Sequence, residues 1–264
     1  MRLMLCFLAV LLSAMILSCA TQAVDGLGTI EPVSAQPNPV DRHPVLVELF
    51  TSEGCSSCPP ADRNLAFLEK QQPVAGAEII TLAFHVDYWD RLGWKDRFSS
   101  PLFSQRQELY SQALKLDSNY TPQMIVDGEA EFVGSDSGKA AKEVLKAAGS
   151  TKAVVEVAAE QGQLKVKIIK APDHRDATVY AAVTEDGISS RVERGENAGK
   201  TLEHVSVVRE LRALGAMPPG KKEAEFSATL QIVPEWKAAN LKVVVFVQEN
   251  DRRNVIGVGR AKFN

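Results

Sequence analysis

The stretch PVLVELFTSEGCSSCPPAD, Pro44 to Asp62, decides how this chain is read. Its first seven residues are an apolar run rich in Val and Leu, the composition of a buried strand. The turn TSEG follows. A helix is then expected to open near Cys55 and run to about Lys70, because Ala61, Leu65 and Leu68 share one face at helical spacing. At the junction of strand and helix stand two cysteines three residues apart. Such a pair is a redox couple, half of a metal site, a structural staple or a coincidence, and the rest of the chain has to choose.

Downstream, AEIITLAF (residues 77–84) reads as a second buried strand, so strand, helix and strand form a right-handed βαβ unit with a parallel pair. The polar, aromatic segment HVDYWDRLGWKDRFSSP comes next, then a helix over about 102–116. TPQMIVDGEAEFVG reads as a hairpin turning at Asp127-Gly128. SDSGKAAKEVLKAAG is a capped helix stopped by Gly149. The order β-α-β-α-β-β-α is that of the thioredoxin fold. From about Ser150 short alternating runs such as QLKVKII, TVYAAVT and LKVVVFV take over, the texture of an antiparallel β-structure. VSVVREL reads equally as strand or helix. The expectation is an α/β thioredoxin-like domain over 44–149, followed by a small antiparallel β-sandwich-like domain over 150–264.

Upstream, residues 1–18 carry one early charge, Arg2, and then an apolar run too short for a comfortable membrane span. They read as a secretory signal peptide. ILSC (residues 16–19) resembles the lipobox of bacterial lipoproteins, which would make Cys19 a lipid anchor; cleavage after Ala20 or Ala23 is the alternative. Residues 19–43, rich in Pro, Gly and small polar residues, read as a flexible tether. The expected location is therefore the periplasm, as a soluble domain or a membrane-anchored lipoprotein. Of the 4 cysteines, Cys6 leaves with the signal and Cys19 is lipidated or removed, so the mature domain keeps Cys55 and Cys58. In an oxidising compartment a close pair tends to be a disulfide. The formal net charge of -3, with no Lys/Arg block, gives no support for nucleic-acid binding.

Residues three apart on a helix have Cβ atoms roughly 5–6 Å apart, and a small adjustment brings two cysteines within disulfide reach. Cys55, at or just before the helix start, would meet unpaired amides and the positive end of the macrodipole, so its thiol pKa is expected to fall. Cys58 sits a turn deeper. Cys55 would then attack a partner disulfide and Cys58 would resolve the mixed disulfide. Ser56 and Ser57 add no charge, and Glu53 works against the thiolate, so the depression should be mild. Pro59 and Pro60 lie in the first turn, where a missing N–H costs little.

In a parallel βαβ unit both strands end at one edge of the sheet, where function collects. His85, Asp87, Trp89 and Asp90 should therefore border the thiols, and Thr121-Pro122 should return to the same edge. Around Cys55, Cys58 and Pro122 the chain resembles the thioredoxin superfamily, whose members carry a cis-proline opposite the CxxC. VELFTSEGCSSCPPAD, DYWDRLGWKD, YTPQMIVDG and GENAGKTLEHVSVVREL more narrowly resemble a secreted bacterial family catalogued as domain of unknown function 1223. The resemblance runs from about Val45 to the C-terminus. It implies that Cys55 and Cys58 are the redox pair and Pro122 the cis-proline. Gly54 stands where thioredoxin itself has an aromatic residue, and the segment after the second strand is a long insertion.

Competing roles remain for each residue. His85 is a proton shuttle for Cys58 or a satisfied strand-end histidine. Asp87 and Asp90 read as caps or turn formers, and Trp89 and Trp94 as core. A zinc site would need His85 and Asp87 to complete it, and no metal or cofactor is expected. The function expected is an exported thiol–disulfide oxidoreductase acting on protein thiols or disulfides of the cell envelope. The alternative is a binding module whose disulfide is a staple and whose β-domain meets a partner.

Overall fold

The computed structural model describes residues 42–263; the expected signal, tether and Cys19 anchor lie outside them. Among the described residues no helix is long and apolar enough to cross a membrane. The first half runs β1 (His43–Thr51), α1 (Pro59–Gln71), β2 (Ala77–His85), α2 (Pro101–Leu114), β3 (Gln123–Val126), β4 (Ala130–Val133) and α3 (Ser137–Ala148). β1 and β2 are parallel, from His43 opposite Ala77 to Thr51 opposite His85. β3 lies antiparallel on the other side of β1, with β4 beyond it.

β1 reads as an unbroken apolar run because both of its faces are buried. Val45, Val47 and Leu49 point towards Ala61, Leu65 and Leu68 of α1 and Ala140 and Val144 of α3. Leu46 and Phe50 point the other way, towards Phe103 and Tyr110 of α2. Each such leucine, fully removed from water, contributes about 1.5–3 kcal/mol. The hairpin between β3 and β4 turns on Asp127 (φ 48°) and Gly128 (φ 74°), the double positive φ of a type I′ turn. A Cβ at Gly128 would stand 1.9 Å from the Arg253 carbonyl oxygen, so only glycine fits.

The second half is all strand: β5 (Val154–Glu160), β6 (Gln163–Ile169), β7 (Ala177–Glu185), β8 (Ile188–Arg191), β9 (Thr201–His204), β10 (Val207–Met217), β11 (Ala224–Thr229), β12 (Leu241–Glu249) and β13 (Val255–Lys262). VSVVREL is thus strand from Val207 onward. The change of texture at Ser150 does not interrupt the sheet. Eight strands run in the order β13-β12-β7-β10-β2-β1-β3-β4, so strands from both sides of residue 150 share it. β11, β6 and β5 form a smaller sheet, packed on the β7 and β12 end of the large one through Leu164, Val166 and Ile168 against Val179, Val243 and Val245.

The seam between the halves is the short parallel pairing of β10 with β2, Val207 opposite Ala83, with the Ala83 amide donating to Ser206 O at 2.8 Å. Arg106 of α2 reinforces it from above. Its guanidinium donates to Glu48 of β1 (2.7 Å), Gln248 of β12 (3.1 Å) and the Tyr110 hydroxyl (3.1 Å). It also lies within 5.7 Å of the ring centres of Phe84, Tyr110, Tyr180 and Phe246. Burial opposes its charge, but Glu48, Tyr110 and Tyr180 together outweigh burial and hold it firmly protonated.

Candidate functional site

β1 ends at Thr51, and the chain needs seven residues, Ser52 to Cys58, before α1 opens. The helix begins at Pro59, with Cys58 as its N-cap. It therefore starts later than the expected opening near Cys55, because two consecutive prolines suit the first positions of a helix. Cys55 and Cys58 are joined as a disulfide, Cα atoms 5.4 Å apart. The turn between them is closed by the Cys58 amide donating to Cys55 O at 3.2 Å.

The late start changes the electrostatics expected of Cys55. Pro59 and Pro60 have no N–H, and the amides of Ala61 and Asp62 both donate to Cys58 O, at 2.8 and 3.0 Å. The end of α1 thus presents no free amide in its first turn, and only the macrodipole remains to favour an anion. The nearest added donor is the Ser57 hydroxyl, 3.3 Å from Cys55 Sγ.

Behind the loop lies a set of ionisable side chains. His85 ends β2, fully buried, and its Nδ1 is 2.6 Å from Asp96 Oδ2. Asp96 also accepts the amides of Glu53 (2.8 Å) and Phe98 (2.9 Å). Glu53 is bound by His204 Nε2 at 3.3 Å and by the Trp94 indole N–H at 2.8 Å. The His85 and His204 rings meet edge to face, 4.9 Å between centres. On α1, Asp62 accepts the Thr51 hydroxyl at 2.8 Å.

These contacts set the charges. Burial works against a charged His85 ring, but the charge and hydrogen bond of Asp96, with the charges of Asp62 and Glu53, together outweigh it and raise the pKa above the ordinary histidine value. Burial would raise Asp96, yet His85 and two backbone amides bring it below the usual carboxylate range. Glu53 is likewise lowered: burial and the charge of Asp96 would raise it, but the polar side chains of His204, Ser190 and Trp94 together overcome them. Asp62 goes the other way: burial exceeds the pull of His204, His85 and Thr51, and its carboxyl is raised. His85 Nε2 is buried without a hydrogen-bond partner among the described residues.

The disulfide is covered. Cys55 and Cys58 both have 0% exposure, although Ser56 and Ser57 between them are exposed. Against the cysteine turn lies the loop between β8 and β9, residues 192–200. The Asn197 side chain, itself 0% exposed, donates to Glu53 O and to Cys55 O, each at 2.9 Å. Glu196 accepts the Ser56 amide at 3.0 Å. Lys200 Nζ donates to Asn197 Oδ1 at 2.9 Å and holds that amide in orientation. Gly195 lets the loop lie on Trp94, whose Cβ is 3.2 Å from where a Gly195 Cβ would be.

Pro122 reaches the same edge. Its peptide bond with Thr121 is cis, and the residue is buried. Thr121 is tied to the cysteine loop by Trp89, whose indole N–H donates to Thr121 Oγ1 at 2.8 Å. The Trp89 Cβ also packs 3.3 Å from where a Gly54 side chain would begin. Trp89 and Trp94 are half-buried braces of the loop rather than deep core. Asp87 accepts the Ser104 hydroxyl, and Asp90 accepts the Asp96 amide (3.1 Å) and the Ser99 hydroxyl (2.8 Å), which are structural roles. Among the described residues no group of three or more His, Cys, Asp or Glu is arranged to hold a metal.

Cys55, Cys58, His85 and Pro122 thus gather at one edge of the sheet. Sequence reading did not assign Asp62, Asp96, Asn197 or His204. Asp62 stands in the opening motif itself and could have been found one helical turn after Cys58. Asn197 and His204 lie some 140 residues away in sequence, and only the wording GENAGKTLEH signalled that they matter.

These features define a mixed α/β protein with a covered CxxC disulfide at a strand–helix junction. Its family is narrower still. The family described as "Protein of unknown function (DUF1223)" matches residues 46–248, and the chain belongs to it. A crystal structure of protein AGR_C_4864 from Agrobacterium tumefaciens is 25% identical, covering 83% of this chain and 94% of that one at a TM-score of 0.68. HBP35 of Porphyromonas gingivalis is 15% identical over 84% of this chain and 76% of its own, TM-score 0.60, a likeness of fold alone. No curated protein is significantly similar to the chain.

Proposed function

We propose that this chain is an exported thiol–disulfide oxidoreductase with a thioredoxin-like first half, acting on protein thiols or disulfides of the cell envelope. The observation that carries the reading is the company the disulfide keeps. Glu53, Asp62, His85, Asp96 and His204 lie together behind it. Withdrawing ionised groups from water costs several kcal/mol each. A static staple has no use for them, whereas thiol exchange has to move protons. The order β1-α1-β2-α2-β3-β4-α3, with β1 and β2 parallel and β3 antiparallel, supports the thioredoxin-like assignment. Export rests on residues 1–18, and anchoring on Cys19.

In the reducing direction the Cys55 thiolate attacks one sulfur of a substrate disulfide. A mixed disulfide forms and one substrate thiolate leaves. The Cys58 thiol gives its proton to the buried carboxylate and histidine group, then attacks Cys55 Sγ. The Cys55–Cys58 disulfide forms, the second substrate thiolate leaves, and two electrons have passed to the substrate. The reverse sequence oxidises a substrate dithiol. Either direction requires the 192–200 loop to move off the sulfurs. The test is a Cys58→Ala variant expressed in the native envelope, which should accumulate mixed disulfides through Cys55.

The full burial of both sulfurs favours a second reading, a permanent staple in a binding module. The two readings separate on reduction potential. A value below about −300 mV, with nothing trapped by Cys58→Ala, supports the staple.

A further inference from the structure

Away from the cysteines, two arginines crowd one aromatic ring. The guanidinium carbon of Arg97 lies 4.7 Å from the centre of the Phe98 ring, and that of Arg209, on β10, lies 5.0 Å from it. Like charges brought together on one ring need an anion between them or a full set of acceptors. Among the described residues Arg97 has one acceptor, Ser189 O at 3.0 Å. Arg209 has none within hydrogen-bond reach among the described residues; its contact with Glu185 Oε2 is 3.6 Å. Glu185 is partly engaged elsewhere, its other oxygen accepting the Lys237 amide at 3.0 Å. The Arg209 side chain is only 19% exposed, so its N–H groups open onto a partly enclosed space.

That space is a cavity of about 470 Å³ whose walls include Arg97, Phe98, Arg209 and Lys237, with Glu185 and Glu235. A second cavity of about 260 Å³ shares Arg97, Phe98 and Arg209. Three cations against two carboxylates leave the larger cavity with an excess of positive charge.

We propose that this cavity binds a compact oxyanion, the phosphate or carboxylate group of a small ligand, between Arg97 and Arg209. Guanidinium groups match both geometries through paired N–H donors. An anion there would supply the acceptors that Arg209 lacks and relieve the repulsion between the two arginines. Burial and Arg97 together depress the Arg209 pKa, the mark of a cation short of a counter-charge. The cavity has room for one small molecule. The overall negative charge of the chain disfavours an extended polyanion. The proposal does not depend on thiol chemistry at Cys55.

The test titrates inorganic phosphate and, separately, succinate into the full chain, by calorimetry and by tryptophan fluorescence. Trp236 stacks on Arg209 at 5.4 Å and reports on the site. Saturable binding that weakens as salt rises, and falls about tenfold or more in Arg209→Met and in Arg97→Met, is the expected result. Binding of phosphate alone assigns a phosphoryl ligand, binding of succinate alone a carboxylate, and binding of both a general oxyanion site. Arg97 is exposed, so Arg97→Met keeps the test valid should Arg209→Met fail to fold. The proposal is overturned if neither probe binds saturably by about 10 mM, or if the affinity survives in the folded variants.

Discussion

Replacing Asn197 by alanine should make the disulfide easier to reduce without unfolding the protein. In the structure the Asn197 side chain donates two hydrogen bonds of 2.9 Å, to Glu53 O and Cys55 O. Hydrogen bonds of this kind contribute about 0.5–1.5 kcal/mol each, and a buried acceptor left unpaired costs more. Removing both weakens the cover by about 2 kcal/mol. At 1.4 kcal/mol per factor of ten, the loop then opens ~30 times more often. If a small reductant reaches the sulfurs only through that opening, and reclosing is fast, the reduction rate rises by the same factor. The assay is reduction by dithiothreitol, quenched by alkylation at intervals and read by mass, alongside urea unfolding of both proteins. A rate within twofold of wild type, in a variant with native circular dichroism, would refute the reasoning. The sulfurs would then be reached without moving the 192–200 loop. A faster rate matched by an equal loss of global stability would also refute it, since opening would then be global.

Three further outcomes follow from the same contacts. Arg106→Met should destabilise the fold by about 3–5 kcal/mol in urea unfolding, because it leaves Glu48 charged and buried without its partner; pairing it with Glu48→Gln should recover part of that loss. Gly128→Ala should cost about 2 kcal/mol or more by the same measurement, since the new Cβ meets the Arg253 carbonyl and φ is positive. His85 has a folded-state pKa raised chiefly by Asp96 against burial, so its contribution is complete below the ordinary histidine value of about 6.5 and fades as pH rises through the folded value. The stability advantage of wild type over His85→Gln should therefore shrink on going from about pH 6 to pH 9, and a constant advantage would remove the ion pair from the account.

What the sequence disclosed of this fold tracks how local each signal is. PVLVELF and AEIITLAF could be read as buried strands because both faces of each strand are covered, leaving no polar alternation to confuse them with helix. The Asp127-Gly128 turn was legible because few residue pairs accept two positive φ angles. VSVVREL was not legible: β10 is half-exposed along part of its length, and its apolar residues fit either period. The start of α1 was misplaced by a few residues because Pro59 and Pro60 were read as tolerated inside a first turn, when they define where that turn begins. That slip carried into chemistry, since it credited Cys55 with amides that the two prolines do not possess.

The same contrast explains the site. Cys55, Cys58 and His85 were found because β1, α1 and β2 are consecutive, and consecutive elements bring their ends together by simple topology. Asn197 and His204 reach the cysteine loop only because β10 joins β2 at the seam, carrying the β8–β9 ribbon ahead of it to the edge where β1 ends. A chain cut after Gly149 would keep the disulfide and lose its cover, along with the histidine that binds Glu53. It would also expose the edge of β2, whose Ala83 amide is satisfied by Ser206. The two halves, distinct in the texture of their sequence, therefore hold one site between them. The loop that ties down the cysteine turn comes from the half that contains no cysteine.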